Sequence, residues 1–383
     1  MATRTEIAHS TAAALRAAAD ALSSCRCLIG FDGFVDSIID VVDERHSSDR
    51  YDRMKTIDQL CRKLVAAAGQ SSNYELVTRL EKLGGNGPIM SNALATAGLP
   101  VTYVGALGFP TIHRAFEGFS QRAECVSFCE PGLTDALEFD DGKIMLGKHA
   151  TLAGVSAERL KELVGTERLR QVVGGSRLLG MVNWTMLTRM DGIWDYLMRE
   201  VLPGLESPRG GGRVVFVDLA DPEKRTREDL RRALATCARF QEHADVILGY
   251  NLKEALQVAD VLGLARPERP EAEIEALSRE LRGRLDVHAV VVHPRSGAAA
   301  AARQGESVAT AAFAGPLVRH PKLSTGAGDN FNAGFCIGQL ASLSLEQSLC
   351  LGTAASGYYV RAARSGSLQE LASFCEELPE PEA

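Results

Sequence analysis

Short apolar runs alternate with longer stretches of helical spacing along most of the chain. Runs with little polar alternation at 26–31 (RCLIGF), 101–107 (VTYVGAL), 177–183 (RLLGMVN), 213–219 (RVVFVDL), 244–249 (ADVILG) and 289–293 (AVVVH) predict strands buried on both faces, as in a parallel sheet. Between them, 91–97, 190–201, 227–241, 252–262 and 271–282 predict helices. Strand–helix–strand repetition of this kind predicts a doubly wound α/β layer structure. An Ala-rich stretch at 5–23, interrupted by Glu6 and Asp20, predicts an amphipathic helix leading into the first strand rather than a secretory leader.

Two stretches break the rhythm. Residues 43–82 are polar, carry a helix around 57–68, and sit where a compact α/β unit needs only a short connection, so they read as an insertion. Residues 133–150 read as two strands around an Asp141-Gly142 turn. A hairpin inside a parallel α/β chain must project from the sheet, which makes it, together with parts of 32–50, a candidate lid. Flexible loops are expected at 203–212 and 265–271, and a disordered tail at 376–383.

Composition narrows the class. The 383 residues allow two domains or one large α/β domain, and 45% hydrophobic with 24% charged residues excludes a mostly disordered chain. A net charge of −7 is wrong for a general nucleic-acid binder, though not for a small anionic ligand held at a locally positive site. No apolar run approaches the roughly 18 residues of a membrane span. The nine cysteines form no CxxC pair and no zinc pattern, which predicts reduced thiols in a cytoplasmic protein. HExxH, GxSxG, GxxxxGK[ST] and a strand-linked GxGxxG are all missing, which counts against a zincin, a serine hydrolase, a P-loop kinase and a nicotinamide enzyme.

The richest stretch is LSTGAGDNFNAGFCIGQL, 323–340. A Gly-rich turn entering a helix presents backbone N–H groups at the positive end of the helix dipole, a place for phosphate. Asp329 stands at that helix start, where a carboxylate can cap the helix or take a proton from an attacking hydroxyl. Gly334 and Gly338, four apart, allow close packing against the sheet or a ligand. NLKE at 251–254 fits a helix N-cap with its capping-box partner.

The motif TGAGDNFNAGF resembles the signature of the ribokinase-like, or PfkB, carbohydrate kinases. The resemblance extends to GFDGFVD at 30–36, GGNGPIMSNALATAG at 84–98, NLKE at 251–254, VHPRSG at 292–297 and residues 352–366, and so covers about 26–372. It implies a single three-layer α/β/α domain with a central, mostly parallel sheet and a small β lid. It implies transfer of the γ-phosphoryl of ATP, with Mg²⁺, to a hydroxyl of a sugar or nucleoside; K⁺ is left open as an activator.

Carried over motif by motif, the resemblance makes Asp329 the base and the amides of Gly326, Ala327 and Gly328 the anion hole. Glu254 and Asn251 organise Mg²⁺ through water. Asp32, Asp36, Gly85, Asn86 and Asn183 face the acceptor, Asp36 fitting the family spacing best. Asn251, His293, Ser296, Gly297, Thr325, Gly328 and Thr353 face the nucleotide, Thr353 standing where the family carries Asn. The stretch GGNGPIMSNAL is nearer to that of ADP-dependent sugar kinases, while STGAGDNFNAGF is of the ATP-using type, so ATP is the expected donor. A homodimer is expected, with no nucleic-acid or membrane partner. A nucleoside kinase and a non-catalytic sugar or nucleotide sensor of the same fold are the alternatives.

Overall fold

The computed structural model describes residues 2–208 and 210–382. Among the described residues, fourteen strands fall into two sheets. The large sheet contains β1 (Cys27–Gly30), β5 (Val101–Gly105), β6 (Glu124–Ser127), β9 (Leu178–Val182), β10 (Val214–Asp218), β11 (Asp245–Tyr250), β12 (Ala289–Val292), β13 (Gly297–Gln304) and β14 (Ser307–Ala314). Its order is β14-β13-β12-β11-β10-β9-β1-β5-β6. The strands from β12 to β6 are all parallel; β13 alone runs the other way, pairing antiparallel with both β12 and β14.

The six predicted apolar runs are β1, β5, β9, β10, β11 and β12, each within one or two residues of the expected bounds. Their lack of polar alternation has a direct cause. In β10, Val215 and Val217 enter the core on one side of the sheet while Phe216 enters the core on the other. Helices cover both faces, giving the three-layer arrangement that a buried parallel sheet requires.

The small sheet contains β2 (Phe34–Arg45), β3 (Tyr51–Arg53), β4 (Leu76–Gly84), β7 (Gly132–Phe139) and β8 (Gly142–Lys148). β2 pairs β4 antiparallel on one edge and β7 parallel on the other, and β8 closes the outer edge. The stretch read as an insertion supplies β3, the helix Ile57–Ala66 and most of β4. These elements share a small core of Ile39, Val41, Met54, Leu60, Leu137 and Phe139 with the hairpin strands. The extra length thus thickens the small sheet on one side.

Residues 377–382, expected as a disordered tail, carry hydrogen bonds: Arg4 donates to the carbonyl of Pro379 at 2.6 Å and the amide of Glu382 donates to the carbonyl of Leu317 at 3.1 Å. An arginine near the N-terminus thus pairs the two ends of the chain. Gly334 and Gly338 pack against a neighbouring helix rather than the sheet. A Cβ at either would lie 2.7 Å from the helix Leu345–Ala362, so they let that helix close onto Ala327–Leu340.

Candidate active site

Parallel α/β sheets present ligand sites at the carboxyl ends of their strands. Here Asp32 follows β1, Asn183 follows β9, Asp218 ends β10 and Asn251 follows β11. The expected helix at 91–97 begins earlier, at Asn86, directly after Gly85. Gly85 adopts φ +94°, and a Cβ there would stand 2.9 Å from Asp32 Oδ2, so glycine is required on both counts. That tight entry aims the first helix amides at a carboxylate. The amides of Asn86 and Gly87 donate to Asp32 Oδ2 and Oδ1 at 3.0 and 2.9 Å. Asn183, held at φ +64°, adds its side-chain amide to Asp32 Oδ2 at 2.7 Å.

Asp329 occupies the third position of the helix Ala327–Leu340, and the N-cap is Gly326 at φ +95°. Asp329 therefore does not cap. Its carboxylate is buried and accepts from the side-chain amide of Asn86 at 2.9 Å. Asn86 links the two carboxylates: its backbone serves Asp32, its side chain Asp329.

The turn before the helix is fixed from three directions. Tyr359 Oη donates to the carbonyl of Thr325 at 2.8 Å, Asn330 Nδ2 donates to the carbonyl of Gly326 at 2.9 Å, and Ser365 holds Asn330 Oδ1 at 2.8 Å. The amide of Ala327 turns back to the carbonyl of Ser324 at 3.2 Å. The amides of Gly326 and Gly328 find no acceptor among the described residues. The amides of Thr325 and Asp329 on either side are likewise without one.

Four buried carboxyls meet here. Burial pushes Asp32 up to about 6 in spite of its donors. Asp329 is pushed well above the usual carboxylate range by burial and then by Asp218, with the Asn86 bond pulling the other way. Asp218 and Glu254 are both raised, by burial and, for Glu254, by Asp218. Sequence reasoning missed Asp218. The signal was its position at the end of a predicted strand, and its partner Asn332, which donates to Asp218 Oδ2 at 2.8 Å, lies within the same signature stretch.

The capping-box reading of NLKE holds: Asn251 Oδ1 accepts from the amide of Glu254, and Glu254 Oε2 accepts from the amide of Asn251, both at 2.9 Å. The other carboxylate oxygen, Oε1, accepts from the amide of Asp221 at 2.8 Å. Two raised, mutually repelling buried carboxyls with no basic partner among the described residues form a donor set that suits a hard divalent cation. Asp218 and Glu254 are the residues fit to hold Mg²⁺, directly or through its waters.

A cleft of about 340 Å³ opens beside the turn, lined among others by Asn251, His293, Gly297, Gly328, Thr353 and Ser356. His293 stacks on Phe331 with ring centroids 4.4 Å apart, and burial lowers its pKa to about 4, so its ring is neutral at pH 7. Thr353 turns its hydroxyl to the carbonyl of Cys350 at 2.9 Å and offers the cleft its apolar side. Ser296 and Thr325 are not among the residues lining this cleft. Ser296 points to Glu271, and the hydroxyl of Thr325 meets Lys143.

Asp36 lies on β2, opposite Lys82 and Thr134 in the small sheet. A Cβ on Gly84 would come within 2.5 Å of its carboxylate. The Gly84-Gly85 pair thus runs between Asp36 of the small sheet and Asp32 of the large one. Trp184, next to Asn183, is core: it is fully buried, and Nε1 donates to Asp191 Oδ1 at 2.6 Å.

Residues 3–378 match the family model of the prokaryotic ketohexokinases. A ketohexokinase of Haloferax volcanii is 28% identical over 351 residues, 91% of this chain and 90% of that protein. Among solved structures, a ribokinase from Cryptococcus neoformans in complex with ADP superposes with TM-score 0.61 at 16% identity, covering 91% of this chain and 99% of that one. An adenosine kinase from Sinorhizobium meliloti gives 0.59 at 17%, covering 93% and 99%. The chain belongs to the prokaryotic ketohexokinase family and is a ribokinase-like, PfkB-type carbohydrate kinase acting on a small sugar.

Proposed function

We propose that the protein transfers the γ-phosphoryl of Mg-ATP to a hydroxyl of a ketohexose. The observation that carries this reading is the chain Asp32–Asn86–Asp329. It joins a polar acceptor floor to a buried carboxylate at the mouth of a Gly-rich turn. The adjoining cleft takes the nucleotide, with its phosphates entering past Gly328.

In the transfer, the sugar hydroxyl oxygen forms a bond to the γ-phosphorus as the bond to the bridging oxygen of ADP breaks. The hydroxyl proton passes to Asp329. A carboxylate raised by burial is a better proton acceptor than an ordinary one. The free amides of Gly326 and Gly328 face the charge spread over the transferring group, with Ala327 beside them. Mg²⁺ held near Asp218 and Glu254, with Asn251 ordering its waters, supplies charge neutralisation when bound. Asp32, Asn183 and Asp36, with the Gly85-Asn86 backbone, orient the acceptor hydroxyls. His293, Gly297 and Thr353 line the nucleotide cleft, whereas Ser296 and Thr325 serve its outer turn and the phosphate loop.

The small sheet acts as the lid, closing over the acceptor and keeping water from competing for the phosphoryl group. Five of its residues are exposed large apolar side chains, among them Leu80, Leu133 and Leu146, which suits a face shared by two copies in a homodimer. The nine free cysteines and the lack, among described residues, of a helix long and apolar enough to cross a membrane support a cytoplasmic setting. ADP production from Mg-ATP across a panel of ketohexoses, aldoses, polyols and nucleosides tests the assignment. Turnover confined to a nucleoside, or dependent on ADP as donor, would overturn it.

A further inference from the structure

Lys143 is the second residue of β8, the outer strand of the small sheet, and its ammonium donates to the hydroxyl of Thr325 at the head of the Gly-rich turn. Lys148 on the same strand is paired with Asp135 at 2.8 Å, but among the described residues no carboxylate lies within ion-pair distance of Lys143. Partial burial and the neighbouring Lys82 lower its pKa, with Glu138 and Asp36 opposing. A lid cation without a counter-ion thus rests where anionic phosphate is expected.

A long, flexible lysine is placed there only if the hairpin turn beneath it is held. The amide of Ile57 donates to Asp141 Oδ1 at 2.9 Å, and the amide of Asp140 donates to the carbonyl of Lys55 at 2.7 Å. Arg53 forms an ion pair with Asp140. All three partners fall within 53–57, inside the stretch that reads as an insertion in the sequence. Met54 and Leu60 then anchor that stretch in the core it shares with Leu137 and Phe139 of the hairpin.

We propose that Lys143 is a catalytic cation that contacts the transferring phosphoryl group from the lid, and that residues 53–57 are the brace that positions it. The inference rests on the phosphoryl-transfer reading of the 325–329 turn. Lys143 neither gives nor takes a proton and forms no bond. Its charge offsets that developing on the equatorial oxygens, while the hydroxyl proton goes to Asp329 as above.

Steady-state kinetics with Mg-ATP and fructose on Lys143→Met, Lys143→Arg, Asp141→Ala and the double variant Lys143→Met with Asp141→Ala test both halves. Lys143→Met is expected to lower kcat roughly 100-fold, the usual scale for one lost charge-stabilising donor, with the sugar KM within about threefold of wild type. Lys143→Arg regains most of the loss. Asp141→Ala lowers kcat about tenfold when Lys143 is present and adds nothing when it is Met, because both changes act through one ammonium. A Lys143→Met enzyme with wild-type kcat overturns the cation. An Asp141→Ala effect of equal size in both backgrounds overturns the brace. Absence of sugar-dependent turnover in the wild type overturns the phosphoryl-transfer reading, and this inference with it. All variants lie in the small sheet, and their melting temperatures show whether the main domain stays folded.

Discussion

The side-chain amide of Asn86 donates to Oδ1 of Asp329 at 2.9 Å, tying together two helix N-termini that are 243 residues apart in the chain. This bond opposes the burial that raises Asp329. A base must be ionised to accept a proton, so activity is lost as pH falls through its pKa, and raising that pKa moves the loss to higher pH. Asn86→Ala is therefore expected to shift the acid limb of the kcat/KM profile upward by about one pH unit, the equivalent of one charge-assisted hydrogen bond. It also lowers kcat roughly tenfold. The pH profile checks it: a limb unmoved or shifted downward would show that Asn86 does not tune the base.

Gly84 separates the lid carboxylate from the acceptor floor. A Cβ there meets all three carboxyl atoms of Asp36 at 2.5 Å, so Gly84→Ala must displace that side chain. The expected result is a sugar KM raised about tenfold with the ATP KM unchanged, consistent with the loss of about one oriented hydrogen bond. Initial-rate kinetics varying each substrate in turn separate the two.

Much of this arrangement is visible in the sequence, and the rest is hidden for identifiable reasons. The parallel strands show as unbroken apolar runs because helices bury both of their faces. Asp329, Asn251 and Glu254 stand out as candidates because each lies in a contiguous motif. β13 is hidden because GAAAAARQ is made of strong helix formers; pairing with β12 and β14 overrides that propensity. Lys143 and Asp218 are hidden because only the fold brings β8 and β10 to the signature turn. The two roles weighed for NLKE do not compete: the capping box forms, and the Glu254 carboxylate still faces Asp218.

The nucleotide cleft runs beside Ser356 on the helix Leu345–Ala362. An indole at that position takes up much of a 340 Å³ space. Ser356→Trp is expected to raise the ATP KM more than tenfold while leaving the sugar KM and the melting temperature near wild type, because steric exclusion acts on the one ligand that uses the cleft. An equal rise in both KM values would place the nucleotide elsewhere.

Glu254→Gln preserves the capping box, since glutamine serves at the third helical position as glutamate does, and removes one of the two raised carboxyls. It is expected to increase the Mg²⁺ concentration needed for half-maximal activity by about 10–100-fold, the usual cost of losing a group that orders a metal site. A Mg²⁺ titration at saturating ATP reads this directly, and an unchanged requirement would remove Glu254 from the metal site.

The most direct test compares wild type and Asp329→Asn for fructose-dependent ADP formation from Mg-ATP. The substitution keeps the shape of the side chain and its contact with Asn86 but cannot accept the hydroxyl proton. The account predicts sugar-dependent turnover in the wild type and a kcat lowered by about 100-fold or more in the variant, with both KM values little changed. Near-normal kcat in Asp329→Asn would contradict the assignment of the base, and a wild type that makes no more ADP with fructose than without it would contradict the ketohexose kinase reading.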